Sequence, residues 1–223
     1  MNKYWSKLVS QLEPYVPGEQ PQDQQYIKLN TNENPYPPSP RVLAALKDSI
    51  DGSLKLYPDP NSLQLKQAIA DYNNVSIDEV FVANGSDEVL AVAFQAFFKK
   101  DQPLYFPDIS YSFYEVYCKL YEIEPKKIPL DQNLSINLSD YTGENGGVIF
   151  PNPNAPTGKA LPLSSIRNYI EKNTETVVIV DEAYVDFGAE SVIPLTKHYP
   201  NLLSIQTFSK SRSLAGSRIG FAI

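Results

Sequence analysis

VVIVDEAYVDF, residues 177 to 187, joins an unbroken apolar run to two carboxylates and a tyrosine. A short β-branched run with no polar position reads as a strand covered on both faces, as in a parallel sheet. Similar runs flank it on either side. Leu202–Gln206 follows, and Val80–Val82, Leu104–Phe106, Ile123–Leu130 and Val148–Phe150 precede it. Helical patterns separate them: one bearing Val89, Leu90, Phe94 and Phe97, a second over Tyr111–Leu120 and a third over Leu163–Lys172. Strands alternating with helices predict an α/β domain with a mainly parallel sheet and helices on both faces. Ligands of such sheets bind beyond the carboxyl ends of the strands, so Asp181 and Glu182 stand at the expected ligand edge.

The N-terminal region has a different character. Tyr4, Leu8, Val9 and Leu12 predict a short amphipathic helix stopped by Pro14. IKLNTNENPYPPSP, residues 27 to 40, is too rich in proline for a helix and forms an extended arm that must lie on something else. Ser39 and Pro40 open a helix with Val42, Leu43, Leu46 and Ile50 on its apolar face. Asn61 is placed to cap another through Leu65, Ile69 and Tyr72. With no repeat and no linker after residue 40, the chain divides into an arm, 1–38, and one main domain, 39–223.

Composition narrows the function. The 223 residues are 42% hydrophobic, enough for a core, and carry a net charge of −7, which disfavours nucleic acid as the main partner. Cys118 is the single cysteine, so no internal disulfide framework is expected and a reducing, cytoplasmic location is. The first residues have no long apolar core and no signal-peptide pattern, and no apolar run reaches the roughly 18 residues of a membrane span. One histidine, His198, leaves little for a metal site or for Ser-His catalysis, and no metal is expected.

Five segments carry candidate chemistry. TFSKSRSLAGSRIGF, residues 207 to 221, sets Lys210 among Ser209, Ser211, Ser217, Arg212 and Arg218. A neighbouring cation such as Arg212 or Arg218 lowers a lysine's pKa so that it can bond covalently to an aldehyde, while the serines offer hydroxyls to a phosphate; the combination suits pyridoxal phosphate. NGSDE, residues 84 to 88, is a glycine turn into a helix start, where backbone amides and the Ser86 hydroxyl can hold an anion, although an ordinary helix cap reads the same way. PDISYSFY, residues 107 to 114, places Tyr111 just past a strand, where its ring can stack on a flat cofactor or simply join the core. PNPNAPTG, residues 151 to 158, is a rigid loop presenting the amides of Asn152 and Asn154. Asp181 can keep a pyridine nitrogen protonated, and Tyr184 can reach the ring's oxygen. A magnesium site at Asp181-Glu182 would need a glycine-rich Gly-Lys-Ser/Thr phosphate loop, and the sequence has none.

Taken in chain order, the five segments resemble the fold-type-I pyridoxal-phosphate aminotransferases. The LNTNENPYPPSP arm and the YPDP turn at 57 to 60 narrow the likeness to the histidinol-phosphate aminotransferases. The resemblance implies that Lys210 holds the cofactor covalently and, once released, shuttles a proton between the substrate's α-carbon and the cofactor's C4′. It implies that Asp181 pairs with the ring nitrogen, Tyr184 bonds the 3-oxygen and Tyr111 stacks on the ring. The phosphate would lie on the backbone amides of Ser86 and Asp87 and on Ser209 and Arg218, and Tyr57 would reach the phosphate of the cofactor in the second subunit of a homodimer. Asn30, Asn32 and Asn34 would help close the arm over histidinol phosphate, with glutamate and 2-oxoglutarate as the amino couple.

The sequence departs from the family in two ways. Ala155 stands where the family usually has the asparagine of Asn-Pro-Thr-Gly, so Asn152 or Asn154 must take its role, and the choice is open. The family also continues past the lysine segment into a small carboxy-terminal domain carrying the arginine for the substrate carboxylate. The chain therefore resembles an amino-terminal portion, expected to end in a strand with an exposed apolar edge. Alternatives from the resemblance are a threonine-phosphate decarboxylase-like or broad aromatic aminotransferase activity, or an inactive cofactor-binding fragment.

Overall fold

The computed structural model describes residues 3–12, 18–19, 21, 23–24, 26–98 and 101–223. Its strands are β1 (Phe81–Asn84), β2 (Leu104–Pro107), β3 (Pro125–Ile128), β4 (Gly147–Pro151), β5 (Val178–Asp181), β6 (Leu202–Thr207) and β7 (Ile219–Ala222). The helices are α1 (Pro40–Asp48), α2 (Leu63–Asn73), α3 (Gly85–Phe97), α4 (Phe113–Tyr121), α5 (Leu163–Ile170) and the single turn α6 (Ile193–Thr196).

The strands form one sheet in the order β1-β7-β6-β5-β4-β2-β3. Pairing is parallel from β3 through β6, while β7 runs antiparallel to both β6 and β1. The two-residue period of a strand sorts the core onto two faces. Leu104, Phe106, Ile149, Ile179 and Ile205 meet α3 and α4 on one face. Tyr105, Val148, Phe150, Val178 and Val180 meet α5 and α6 on the other. The α/β architecture with both faces covered is thus the one the alternating runs predicted.

Several local expectations change. The predicted apolar edge at the last strand does not form, because β7 is paired on both sides and the sheet edges are β1 and β3. β3 carries Pro125, Lys126 and Lys127, residues that discourage edge-to-edge pairing. The helix predicted at 3–12 shrinks to a 3-10 turn, Val9–Gln11. Tyr4 and Val9 are exposed, and so short a segment is marginal without a surface to pack on. Its predicted stop at Pro14 lies outside the described residues. Ser39 does cap α1, its hydroxyl accepting from the Val42 amide, yet Leu43, Leu46 and Ile50 remain exposed. Asp59, not Asn61, holds the start of α2, accepting from the Leu63 amide at 2.7 Å. Tyr72 and Phe97, predicted on apolar faces, are exposed, and Phe98 is buried in place of Phe97. No helix among the described residues is long and apolar enough to cross a membrane.

Candidate active site

Topology brings the predicted segments together. β1, β2, β4, β5 and β6 all end at one edge of the sheet, and β7, being reversed, begins there. Arg218, the residue before β7, therefore arrives beside residues that follow the other strands. Between them lies a cavity of about 660 Å³, within the range of small-molecule sites. Lys210, Asp181, Tyr184, Tyr111, Ser209 and Arg218 all line it, together with Ser86 and Asp87.

The acidic pair after β5 is split by the strand's alternation. Asp181 faces α4, where its carboxylate accepts from the Tyr114 hydroxyl at 2.8 Å and from the Ala183 amide at 3.1 Å. Burial pushes its pKa up from 3.8 to about 6, with the Tyr114 hydrogen bond the first influence opposing that rise. Glu182 faces the opposite side and accepts from the Val192 amide at 2.6 Å and from Ser191, Ser204 and Gln206 at 2.7, 2.8 and 2.9 Å. Burial raises the Glu182 pKa as well, but its four donors occupy it fully, and it ties β5 to β6 and α6.

The lysine loop is met by the arm. Lys210 Nζ donates to the carbonyls of Thr31 and Asn32 at 3.0 and 3.3 Å and lies 5.5 Å from the centre of the Tyr184 ring. Asn34 donates to the carbonyls of Lys210 and Ser211, both at 3.2 Å. Asn32 donates to the Tyr184 hydroxyl at 3.0 Å. Arm and lysine loop thus hold each other through four hydrogen bonds, and Asn32 adds a fifth from the arm to Tyr184. Arg212, predicted to give Lys210 cationic surroundings, and Ser211, predicted to offer a phosphate its hydroxyl, turn away: both contact Asp186, and Arg212 also covers the Phe208 ring. Ser217 does not line the cavity either.

The part of the cavity wall formed by α3 and Arg218 suits an anion. α3 starts at Gly85 with no side-chain cap, so its first amides point to the cavity end unclaimed by a capping side chain. Gly85 has φ +76°, and any side chain there would strike the Arg218 guanidinium. Arg218 Nη2 lies 3.2 Å from Asp87 Oδ2, and the other oxygen of Asp87 accepts from the Tyr111 hydroxyl at 2.7 Å. Burial, then the Asp87 charge, raises the Tyr111 pKa far above its ordinary value. The phenol therefore stays protonated and its ring stays oriented.

The sequence profile of the aminotransferase class I and II family matches residues 24–223. The chain belongs to that family. It is 61% identical over its full length to histidinol-phosphate aminotransferase 1 of Methylococcus capsulatus and 62% identical to that of Hydrogenovibrio crunogenus. It spans 62% and 63% of the lengths of those relatives. The solved histidinol-phosphate aminotransferase of Sinorhizobium meliloti, in complex with pyridoxal-5'-phosphate, superposes with a TM-score of 0.87 at 22% identity. That match covers 99% of this chain and 63% of the other.

Not every residue predicted for the site lies at the cavity. Asn152 and Asn154 do not line it; Ala155 and Pro156 do. Asn152 exchanges two hydrogen bonds with the backbone of Leu161, and Asn154 donates to the Ile109 carbonyl while its own amide oxygen is buried without a partner. Asn30 binds the Glu19 carbonyl, and Tyr57 is fully exposed. The sequence reading missed Tyr114, Ser110, Thr207 and Gly216; the last three line the cavity. Tyr114 had a legible signal: Tyr111, Tyr114, Tyr117 and Tyr121 recur at helical spacing, on the face that meets the sheet.

Proposed function

We propose that the whole protein transfers an amino group between histidinol phosphate and 2-oxoglutarate, with pyridoxal 5'-phosphate as cofactor. The observation that carries this reading is the meeting of Lys210 and a buried Asp181 in one cavity that Arg218 and an uncapped helix start also line. The residues fit the cofactor. The two hydrogen-bond donors to Asp181 are uncharged, so the carboxylate can still take a cationic ring nitrogen. Ser110 offers a buried hydroxyl without a partner at the cavity wall. Serine hydroxyls, helix amides and a guanidinium are a donor set made for phosphate.

When bound, pyridoxal phosphate supplies an electron sink for bonds at the substrate's α-carbon. Lys210 Nζ would hold the cofactor at its aldehyde carbon and, once displaced there by the substrate's amine, would as a free amine carry the proton between the substrate's α-carbon and the cofactor's C4′. Asp181 holds the proton on the ring nitrogen. Tyr184 donates to the ring's oxygen, and Tyr111, fixed by Asp87, presents its ring to the cofactor. The backbone amides of Ser86 and Asp87, with Ser209 and Arg218, would hold the phosphate. Of the two amides left open by the sequence, Asn152 is bonded to Leu161 and Asn154 to Ile109 and Thr157, so whichever donates to the ring oxygen gives up a present partner. Asn30, Asn32 and Asn34 belong to an arm, residues 1–38, that closes the site of the main domain, 39–223. Tyr57 reaches the phosphate held by the second subunit of a cytoplasmic homodimer, which its complete exposure permits.

The test is spectroscopic. Pyridoxal phosphate added to the purified protein should give a visible absorption band that Lys210→Ala abolishes. Histidinol phosphate should then discharge it in the full-length protein. A band that survives in Lys210→Ala rejects the lysine assignment.

A further inference from the structure

The Tyr114 hydroxyl stands out among the groups with no assigned role. It is one of the largest fully buried side chains, and its ring is packed by Phe94, Phe106 and Tyr111. A hydroxyl placed in such surroundings costs free energy unless it finds a partner, and its partner is Asp181 Oδ2 at 2.8 Å. Phenylalanine would fill the same space without that requirement. The tyrosine is therefore explained by the carboxylate and not by packing.

The geometry points to Tyr114 as a positioning residue that fixes the Asp181 carboxylate and keeps it ionised for a cationic ring nitrogen in the cavity. This inference rests on the reading of the cavity as a pyridoxal-phosphate site. Tyr114 holds one carboxylate oxygen from α4 and the Ala183 amide holds the other, so the plane of the group is set before any ligand arrives. Ionisation is the harder requirement. Burial drives Asp181 toward its neutral form, which cannot stabilise a cation, and the Asp87 charge pushes the same way. The Tyr114 hydrogen bond is the largest influence against them. The other titratable groups around this carboxylate are Tyr111 and Tyr117, with Lys210 and Arg218 across the cavity. The Tyr114 phenol cannot itself supply a competing charge, since burial followed by Asp181 raises its pKa well above the ordinary value.

Two measurements on the purified protein test this. In protein carrying ¹³C-labelled aspartate, with Asp181→Asn to assign the signal, Tyr114→Phe should raise the Asp181 titration midpoint by about one to two pH units. That matches the ten- to hundred-fold worth of a hydrogen bond to a charged group. A fluorinated, more acidic tyrosine at 114 should lower the midpoint below wild type, and it tests the same bond if Tyr114→Phe fails to fold. Midpoints indifferent to both changes overturn the proposal.

The second measurement compares the affinities of pyridoxal phosphate and of its analogue with carbon in place of the ring nitrogen. Tyr114→Phe should weaken the first about ten- to hundred-fold and leave the second unchanged. Equal losses would mean that Tyr114 only supports the fold, and they reject the proposal. Failure of the wild type to bind either compound would reject the cofactor reading instead, and the carboxylate midpoint would still decide the role of Tyr114.

Discussion

Gly220 packs its α-carbon against the backbone of Gly85 and Ser86 so closely that a side-chain carbon there would overlap the Ser86 amide nitrogen. The strand that delivers Arg218 is thereby pressed onto the helix start whose free amides face the cavity. Backbone on both sides of the contact cannot move aside as a flexible side chain would. Gly220→Ala should therefore destabilise the fold by about 1–3 kcal/mol or more, read as a lower urea midpoint. It should also weaken phosphate-dependent cofactor binding. A variant with unchanged midpoint and affinity would show that the strand and helix are not held rigidly.

Asp181 should trade stability for function. Its pKa rises from 3.8 in the unfolded chain to about 6 on folding, so between those values the folded state binds more protons. Stability from this group is then complete below about pH 3.8 and is lost as pH rises through about 6, a cost near neutrality of about 3 kcal/mol. Asp181→Asn removes the charge. Without cofactor, the variant should be more stable than wild type at pH 8, and the difference should vanish toward pH 4. With cofactor, the wild type should regain the advantage, because only it offers a counter-charge to the ring. Urea midpoints across this range check the prediction, and a pH-independent difference would contradict it.

Much of this arrangement was legible in the sequence because strands buried on both faces need continuous apolar runs, and the residues following them collect at one edge. Asp181 could be placed at that edge from that rule, whereas Lys210 and Arg218 were joined to it through the resemblance, and Arg218 arrives there because β7 runs back antiparallel. Pairing order is a property of distant segments, and so β7 was expected at an edge although β1 covers it. Arg212 and Ser211 misled for a related reason. Their partner, Asp186, comes from the turn after β5, and nothing local in the lysine loop announces it. The arm's N-terminal helix failed because amphipathic spacing states which face is to be buried, not whether a surface exists to bury it.

Asn34 should act as the clasp between arm and lysine loop. Its amide donates to two carbonyls of that loop and its oxygen accepts from the Tyr36 amide. Asn34→Ala removes these bonds and leaves the arm held by Asn32 and by the carbonyls that Lys210 reaches. At about 1 kcal/mol per bond, arm opening should become roughly ten-fold more frequent or greater. Limited proteolysis within residues 26–38 should accelerate accordingly, while cleavage in the sheet domain should not. An unchanged cleavage rate would mean that the arm is held elsewhere.

Glu182 and Asp181 are neighbours with opposite tolerances. Asp181 accepts two hydrogen bonds at a cavity wall, whereas Glu182 accepts four in the interior, from β6, from the residues that open α6 and from Ser191. Glu182→Ala strands the Ser204, Gln206 and Ser191 side chains and the Val192 amide away from water. Each stranded donor costs about 1–3 kcal/mol, so the sum rivals the marginal stability of a domain. Glu182→Ala should therefore unfold or severely destabilise the protein, whereas Asp181→Ala should leave it folded and lose cofactor affinity. Glu182→Gln should fall between wild type and alanine, because its carbonyl can still accept while its new amide meets donors. Urea unfolding of the three variants, with cofactor affinity measured alongside, separates these cases. A stable Glu182→Ala protein would show that the four donors find other partners, and that the carboxylate is not what ties β5 to β6 and α6.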